Sequence, residues 1–267
     1  MSVAQQTWLA RGRNRMNPTV KANQSPNLTK PLADRVALVT GGTRGIGKAI
    51  AQMLAALGAN ISICGRNEDH LQYAAKEIES HGARVHAQKA DVSRNGDVAA
   101  LVQTTEKKLG PISILINNAG IGMFGPVYEK TEEDWDRVMN TNLEGVFLMT
   151  RAVAPGMIAR KSGDIINISS LAGKNTFANG ALYCASKWGL QGLTACMAED
   201  LRGFGIRVSA ICPGSVATEF SGRGPKDASK VLTAEDVAHA VAMVLTQGSQ
   251  SFISEVDLRP VGKPGAK

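Results

Sequence analysis

Residues 36–47 read VALVTGGTRGIG, and this stretch decides the fold of the chain. Val36–Val39 is an apolar run typical of a strand, and the pattern from Gly45 to Leu57 predicts a helix, so the glycines occupy the turn between them. Glycine permits a sharp turn and lets a pyrophosphate approach the free N–H groups of the helix N-terminus. A tight turn without a ligand is the alternative, but the position after the first strand favours a phosphate site.

Short apolar runs alternate with longer amphipathic runs from this stretch to residue 258. The predicted strands are Val36–Val39, Asn60–Cys64, Ala83–Ala90, Ile112–Ile116, Asp164–Ser169, Ile206–Ile211 and Ser251–Leu258. The predicted helices are Gly45–Leu57, Glu68–Ser80, Asp97–Leu109, a long one near Glu133–Arg160, Ala181–Arg202 and Ala234–Leu245. Apolar strands without polar alternation are buried on both faces. We therefore predict a single-domain α/β fold, Rossmann-like, with a doubly wound seven-stranded parallel sheet and helices on both faces.

The end of the second predicted strand bears on the choice of cofactor. A site selective for NAD places an acid there to bind the ribose hydroxyls. This chain has Gly65 at that place and Arg66 directly after it, and Arg44 lies in the glycine loop. Because two guanidinium groups suit a 2′-phosphate, we predict NADP(H). The alternative is that both arginines are solvated surface residues.

Tyr183 and Lys187 are four residues apart on a predicted helix, so the phenol and the ammonium can meet the same ligand. Reduction of a carbonyl needs a proton donor beside the developing alkoxide, and a nearby ammonium lowers the pKa of a tyrosine. Ser170 directly follows the fifth predicted strand, and its hydroxyl can stabilise charge on the substrate oxygen; the adjacent Ser169 is the competing candidate. Taken alone, the tyrosine and lysine are typical of a surface pair, and the serine of an ordinary cap.

These motifs together resemble the short-chain dehydrogenase/reductase family. TGGTRGIG at 40–47, NNAG at 117–120, the Ser170, Tyr183 and Lys187 set, and CPGSVAT at 212–218 lie at predicted strand ends in the family's order. The resemblance covers about residues 34–260. It is to members similar to 3-oxoacyl-[acyl-carrier-protein] reductases and to 3-hydroxy acid dehydrogenases, and it implies interconversion of a ketone and a secondary alcohol by hydride transfer.

The resemblance also implies roles for single residues. Tyr183 is the acid/base, Lys187 tunes it and bonds the nicotinamide ribose, Ser170 orients the carbonyl, and Asn142 holds a water that relays protons to Lys187. Asp91 and Val92 border the adenine, although Asp91 alone is as typical of a helix cap. The residues implied in cofactor binding are Gly41, Thr43, Arg44, Gly45, Ile46, Gly47, Arg66, Asp91, Val92, Asn118, Ala119, Gly120, Tyr183, Lys187, Val216 and Thr218.

The substrate class stays open in the sequence. The ending SFISEVDLRP at 251–260 lacks the Gly-Gly of many acyl-carrier-protein reductases, so a 3-oxoacyl thioester reductase and a dehydrogenase of 3-hydroxy acids or other small alcohols both remain. A partly apolar pocket is predicted from Met123, Phe124, Phe177 and a flap at 220–232. The flap also offers cations to an acidic carrier or coenzyme A, with a solvated loop as the alternative: Arg223, Lys226 and Lys230. A catalytically silent dinucleotide-binding scaffold is the alternative of another class.

Composition excludes several other functions. The formal charge of +7 is concentrated in residues 1–33, which hold five basic residues and no acid, so the remaining chain is close to neutral and gives no nucleic-acid footprint. No apolar run approaches the ~18 residues of a membrane span. The four cysteines form no CxxC pair and have no histidines at metal spacing, so we predict no metal site and a reduced, cytoplasmic protein.

Three segments are expected along the chain. Residues 1–33 are predicted to be a disordered basic N-terminal extension, with a targeting segment as the alternative. Residues 34–260 form the Rossmann-fold oxidoreductase domain, and residues 261–267 are a C-terminal tail. The family resemblance implies a homotetramer acting on a small-molecule substrate.

Overall fold

A computed structural model describes residues 30–221 and 230–262 of the chain. The strands are β1 (Val36–Thr40), β2 (Asn60–Gly65), β3 (Val85–Lys89), β4 (Ile112–Asn117), β5 (Gly163–Ile168), β6 (Ile206–Pro213) and β7 (Glu255–Leu258). The helices are α1 (Gly45–Ala56), α2 (Glu68–Glu79), α3 (Asn95–Leu109), α4 (Glu132–Met139), α5 (Gly145–Arg160), α6 (Ala181–Arg202) and α7 (Ala234–Leu245). The strands form one parallel sheet in the order β3-β2-β1-β4-β5-β6-β7, which confirms the predicted fold.

Two apolar layers sandwich the sheet, because helices cover both of its faces. Every residue of β1 and of β5 is buried, which is why these strands carry no polar alternation. One layer joins β1 and β2 to α1, α2 and α7, through side chains such as Ile50, Leu71 and Val241. The other joins β4 and β6 to α3, α5 and α6, through side chains such as Leu101 and Met149.

The order of the strands fixes where a ligand can bind. The chain runs outward from β1 through β2 to β3 and then returns to the other side of β1 to form β4. Thr40 pairs with Cys64 on one side of β1, and Val39 pairs with Ile116 on the other. The glycine loop therefore leaves the sheet at the point where its winding reverses, which is where open α/β sheets bind ligands.

The predicted helix near Glu133–Arg160 is not continuous. Residues Asn140–Glu144 form a π-helical turn that separates α4 from α5. From inside this turn the side chain of Asn142 pairs with both backbone groups of Ile121, at 2.8 and 2.9 Å. The interruption thus coincides with a side chain that the sequence predicts to be functional, as is common for π-turns.

The last strand begins four residues later than the predicted Ser251–Leu258. At Ile253 the backbone N–H donates to Gln247 Oε1 (2.8 Å), and the carbonyl accepts from Ser209 Oγ (2.7 Å). Side chains therefore satisfy the groups that a strand would use, and regular pairing starts only at Glu255.

The described chain begins before the expected domain boundary at residue 34. Leu32 is 1% exposed and packs in the layer with α1, and its amide donates to Leu57 O at 3.0 Å. Residues 1–29 of the predicted extension, 222–229 of the predicted flap and 263–267 of the predicted tail lie outside the described residues. In the part of the chain that is described, no helix is both long and apolar enough to cross a bilayer.

Candidate active site

The glycine loop after β1 needs glycine at defined positions. Gly41 has φ +64° and Gly45 has φ +51°, a left-handed region in which other residues are strained. A Cβ at Gly47 would lie 2.3 Å from the carbonyl oxygen of Gly41 and 2.4 Å from Asn118 Nδ2. Any side chain there would push the loop off α1. The residues present therefore fit a dinucleotide pyrophosphate, since the loop stays open and close to the amino end of the helix.

Asn118 and Ala119 hold this loop from the end of β4. The Asn118 side-chain amide donates to Thr40 O (2.9 Å) and Gly41 O (3.1 Å). The hydroxyl of Thr40 accepts from the backbone amides of Asn118 and Ala119, both at 3.0 Å. The predicted ribose contact of Asn118 stays a prediction, and the structure adds a support role that its spacing did not reveal.

The end of β2 is closed to a side chain at position 65. A Cβ on Gly65 would lie 2.7 Å from Thr43 Cγ2, so an acid at this place would displace Thr43. Arg66 follows on the surface, and its charge acts on Asp91 at the end of β3. Arg44 is also exposed, and its Nη1 pairs with Glu219 Oε2 at 2.8 Å. Both predicted arginines thus lie at the carboxyl edge of the sheet.

Asp91 and Val92 occupy the turn after β3. Burial raises the pKa of Asp91, but hydrogen bonds from the hydroxyl and amide of Ser93, at 2.7 and 3.0 Å, and the charges of nearby arginines outweigh it and leave the pKa lowered. Val92 is buried against the start of α5, where a Cβ on Gly145 would lie 2.8 Å from Val92 Cγ2. The aspartate therefore stabilises the turn through Ser93, and it does not cap α3, which has Arg94 at its N-cap. The predicted adenine contact of Asp91 and Val92 stays a prediction.

Tyr183 lies in the first turn of α6, facing the end of β5. Burial raises the pKa of its phenol to about 12, and a hydrogen bond with the side chain of Ser170 opposes that shift. Ser170 itself begins a short 3₁₀ turn, in which its Oγ accepts from the amide of Ala172 at 3.1 Å. The predicted serine and tyrosine are therefore in direct contact.

Lys187 lies one turn further along α6 and is 5% exposed. Its Nζ donates to the carbonyl oxygen of Ile168 at 2.8 Å and stands 5.8 Å from the centre of the Tyr183 ring. Burial lowers the pKa of Lys187 to about 8. A Cβ on Gly120 would lie 3.9 Å from this Nζ, so the NNAG segment packs directly beside the ammonium.

Asn142 is fully buried, and its side chain bonds in several directions. Besides Ile121, its Nδ2 reaches Ser186 Oγ at 3.0 Å, and Ser186 donates to the carbonyl oxygen of Tyr183 at 2.7 Å. The side chain thus ties the π-turn to the strand end after β4 and to the first turn of α6. Ser186 completes this link and was missed from sequence, because a serine inside a helix carries no recognisable signal.

Ser169, the competing serine, faces the interior. It is 3% exposed, and its hydroxyl has no hydrogen-bond partner among the described residues. Ser170 is the one that meets Tyr183. The geometry therefore favours Ser170 over its neighbour.

Aromatic side chains surround the phenol. Phe124 lies 5.6 Å and Phe220 5.5 Å from Tyr183, measured between ring centres, and Phe177 lies 6.1 Å from Phe124. Met123 is half-buried in the same segment. Two of the three predicted pocket residues thus belong to this aromatic cluster of Phe124, Phe177, Tyr183 and Phe220.

The segment after β6 connects the cluster to the glycine loop. Val216 is buried and pairs with Leu232, and a Cβ on Gly45 would lie 3.3 Å from Thr218 Cγ2. Glu219, which contacts Arg44, lies one residue before the predicted flap and was missed, because an isolated acid in a loop is ordinary. Arg223 and Lys226 of the predicted flap lie outside the described residues, and Lys230 is exposed.

Comparison with known proteins gives consistent matches. The family model for short chain dehydrogenases matches residues 35–228. A protein of Streptomyces violaceoruber, named as a candidate ketoacyl reductase of the granaticin polyketide synthase, is 44% identical over 193 residues, covering 72% of this chain and 71% of that protein.

Two solved structures share the fold. A metagenomic short-chain oxidoreductase in complex with NADP is 42% identical, with a TM-score of 0.78 over 87% of this chain and 99% of that one. An NAD⁺-bound xylitol dehydrogenase is 28% identical, with a TM-score of 0.79 over 86% of this chain and 100% of that one. With the glycine loop, the strand order and the match over residues 35–228, the chain belongs to the short-chain dehydrogenase/reductase family and is an oxidoreductase acting on a ketone/alcohol pair.

Proposed function

We propose that this oxidoreductase is NADP(H)-dependent and reduces a 3-oxoacyl thioester or a similar ketone, with Asn142, Ser170, Tyr183 and Lys187 as its working set. The observation that carries the proposal is the contact of a half-buried phenol with Ser170, beside a buried ammonium. A protein that only binds a dinucleotide has no need of this arrangement, which disfavours a silent scaffold.

The protonation states of Tyr183 and Lys187 suit reduction of a ketone at neutral pH. With its pKa at about 12, Tyr183 is protonated and ready to donate to a developing alkoxide. Ser170, in contact with that phenol, can orient the carbonyl oxygen and stabilise its charge. Lys187, with its pKa at about 8, is cationic and favours the phenolate that remains after the donation. When bound, the nicotinamide supplies the hydride.

Return of the proton to Tyr183 uses Lys187. Its Nζ donates one hydrogen bond to the carbonyl oxygen of Ile168, which leaves two N–H groups for other partners. The side chain of Asn142 is already bonded to Ile121 and Ser186. A relay water of the kind implied by the family resemblance would therefore be held by the Asn142 backbone in the π-turn, and the side chain would position that backbone.

The cofactor assignment rests on the edge formed by β2 and the glycine loop. One solved structure of similar fold is in complex with NADP and another is bound to NAD⁺, so family membership alone does not decide it. Here Thr43 leaves no room for an acid at position 65, and the guanidinium groups of Arg44 and Arg66 lie at the same edge. A 2′-phosphate has cations available there, whereas ribose hydroxyls have no carboxylate at position 65.

The aromatic cluster supports the proposed substrate class. Phenylalanines on two sides of Tyr183 suit an acyl chain or ring better than a small charged acid. The similarity to a candidate ketoacyl reductase points the same way. The second candidate, a dehydrogenase of 3-hydroxy acids or other small alcohols, keeps the same proton chemistry and differs only in this pocket.

Assembly and location complete the proposal. Phe147 is exposed at a groove of about 500 Å³ that also includes Leu143 and Leu193. Trp188 is exposed elsewhere on α6, and both exposed aromatic residues are consistent with a homotetramer built on α5 and α6. All four cysteines are free thiols, which fits a cytoplasmic protein without disulfides.

The test is consumption of NADPH with a panel of 3-oxoacyl thioesters, their free acids and unrelated ketones. We expect turnover with at least one ketone, and we expect Tyr183→Phe to lower kcat by about 10²–10⁴-fold while the Kd for NADPH changes little. Tyr73→Phe, an exposed tyrosine on α2, is the matched control and keeps full activity. NADPH binding without turnover on any ketone, or an active Tyr183→Phe, would refute the proposal.

A further inference from the structure

One ion pair joins the glycine loop to the segment after β6. Arg44 Nη1 lies 2.8 Å from Glu219 Oε2, and both side chains are largely exposed, at 66% and 81%. On one side of Glu219 the methyl carbon of Thr218 approaches Gly45, and on the other side Phe220 packs on the Tyr183 ring. The carboxylate is therefore anchored between the proposed cofactor loop and the proposed acid.

We propose that Glu219 is a specificity-determining residue for the cofactor, because its carboxylate competes with the 2′-phosphate of NADPH for the guanidinium of Arg44. The proposal rests on the proposed NADP(H) function. A guanidinium binds a phosphate best with two parallel N–H donors, and a carboxylate bound to the same fork takes part of that capacity. NADH has no 2′-phosphate, so the competition does not touch it.

The competition between Glu219 and the 2′-phosphate lowers the preference for NADPH over NADH without abolishing it. Exposed ion pairs are worth little, so displacing Glu219 costs the phosphate about twofold to fivefold in affinity. Arg66 forms no direct ion pair among the described residues, although its charge acts on Asp91, and it offers a second cation at the same edge. The site then binds NADPH less tightly than two free arginines would, since the interaction of the phosphate with Arg44 is partly offset by the carboxylate.

The experiment measures Kd for NADPH and for NADH by nucleotide fluorescence, without substrate, in wild type and Glu219→Gln. We expect NADPH to bind about twofold to fivefold more tightly to the variant and NADH to bind unchanged. Glu199→Gln is the matched control, since Glu199 pairs with Arg202 at 2.9 Å with similar exposure, at the far end of α6. It removes the same charge and leaves both Kd values unchanged.

A double-mutant cycle shows whether Glu219 acts through Arg44. In an Arg44→Gln background there is no guanidinium for Glu219 to occupy, so we expect the effect of Glu219→Gln on the NADPH Kd to vanish. An undiminished effect in that background would mean that the carboxylate repels the phosphate directly, which overturns the competition for Arg44.

The outcomes separate this inference from the proposed function. If wild type prefers NADPH and Glu219→Gln changes nothing, or tightens NADH equally, the inference fails and the proposed cofactor stands. If wild type shows no preference but the variant gains one for NADPH, the inference stands and NADP(H) selectivity of the native enzyme fails. If wild type does not prefer NADPH and Glu219→Gln leaves the NADPH Kd unchanged, both fail.

Discussion

Polar side chains at the two ends of β5 differ in how completely they are paired. At its beginning Asp164 is 4% exposed and receives Arg35 Nη2 at 2.6 Å and Arg207 Nε at 2.7 Å. Directly beyond its last residue, Ser169 has a buried hydroxyl without a partner in the described chain, and Ser170 meets a phenol whose pKa is raised. One strand of six residues thus has a fully paired charge at one end, and an unpaired hydroxyl beside a serine–phenol contact at the other.

This difference indicates that the amino end of β5 contributes to stability and the carboxyl end to function. At the amino end of the sheet, the Asp164 carboxylate is paired with arginines of the protein itself. These ion pairs connect β1, β5 and β6 and do not need a ligand. At the carboxyl end, the Lys187 ammonium is buried without a described carboxylate beside it, next to the neutral phenol of Tyr183, which is costly unless something else is bound there. Exchanging single groups at each end should therefore change different measurements.

Among the polar groups that border the two ends of β5, the largest effect is expected for Ser170→Ala at the carboxyl end. Loss of a hydroxyl that stabilises charge on the substrate oxygen should lower kcat/KM for the ketone by about 10²–10³-fold. The serine also caps a short turn, so the free energy of unfolding should fall by only about 1 kcal/mol. Steady-state kinetics and urea denaturation measure the two quantities on the same protein.

Ser169→Ala is the matched control for that change. The neighbouring hydroxyl is buried, bonds nothing in the described chain and is replaced by a methyl group of similar size. Activity should stay within about threefold, and stability within about 1 kcal/mol. A larger loss of activity in Ser169→Ala than in Ser170→Ala would reverse the assignment of the two serines.

Asp164→Asn should do the opposite at the amino end. It leaves two arginines facing a neutral amide, so the free energy of unfolding should fall by about 3 kcal/mol. At a temperature where the variant is folded, kcat/KM should match wild type, because this end of the sheet lies away from Tyr183. Urea denaturation checks the first part.

The control is Glu77→Gln, which breaks the pair with Lys48 where both side chains are about one-third exposed. Solvent screens this pair, so its loss should cost no more than about 1 kcal/mol. Equal costs in the two variants would show that the paired end of β5 is no more important for stability than the surface.

The same contrast explains how far sequence reasoning reaches. The parallel sheet of seven strands and the helical layers on both faces follow from local periodicity. The approach of Ser170 to Tyr183 follows from motifs at strand ends, since a parallel sheet brings those ends together. The Asp164 network could not be predicted, because it needs the register that sets Asp164 opposite Arg207. Glu219 and Ser186 depend likewise on which loops meet in space, and neither carries a local signal.

The π-turn shows the limit most clearly. Its residues fall inside a pattern that predicts one helix, and NTNLE at 140–144 differs only in containing weak helix formers such as Asn142. Only the partner of Asn142, the backbone of Ile121 on a distant loop, explains why a helix widens there. Tertiary hydrogen bonds overrode a periodic pattern at a candidate functional residue, which is where such departures are expected.

The smallest effect is on pH dependence, and it tests the unpaired ammonium at the carboxyl end. Lys187 has its pKa lowered to about 8 and Tyr183 has its pKa raised to about 12, so above pH 8 the lysine loses its charge while the phenol keeps its proton. The value of kcat/KM for ketone reduction should be level below about pH 7 and fall by up to tenfold per pH unit above about 8. A profile that stays level to about pH 10 would show that the charge of Lys187 is not needed.

Unfolding of the protein cannot account for the fall in kcat/KM above about pH 8. The folded pKa of Lys187 lies below its ordinary value of 10.5, so between about 8 and 10.5 the unfolded chain binds more protons than the folded one. The contribution of this lysine to the free energy of unfolding therefore rises with pH over the interval in which activity falls. Urea denaturation at pH 7 and 9, on wild type and Lys187→Met, isolates that contribution: the stability advantage of the variant should shrink as pH rises. A constant difference would mean that Lys187 keeps its ordinary pKa and that the fall in activity has another source.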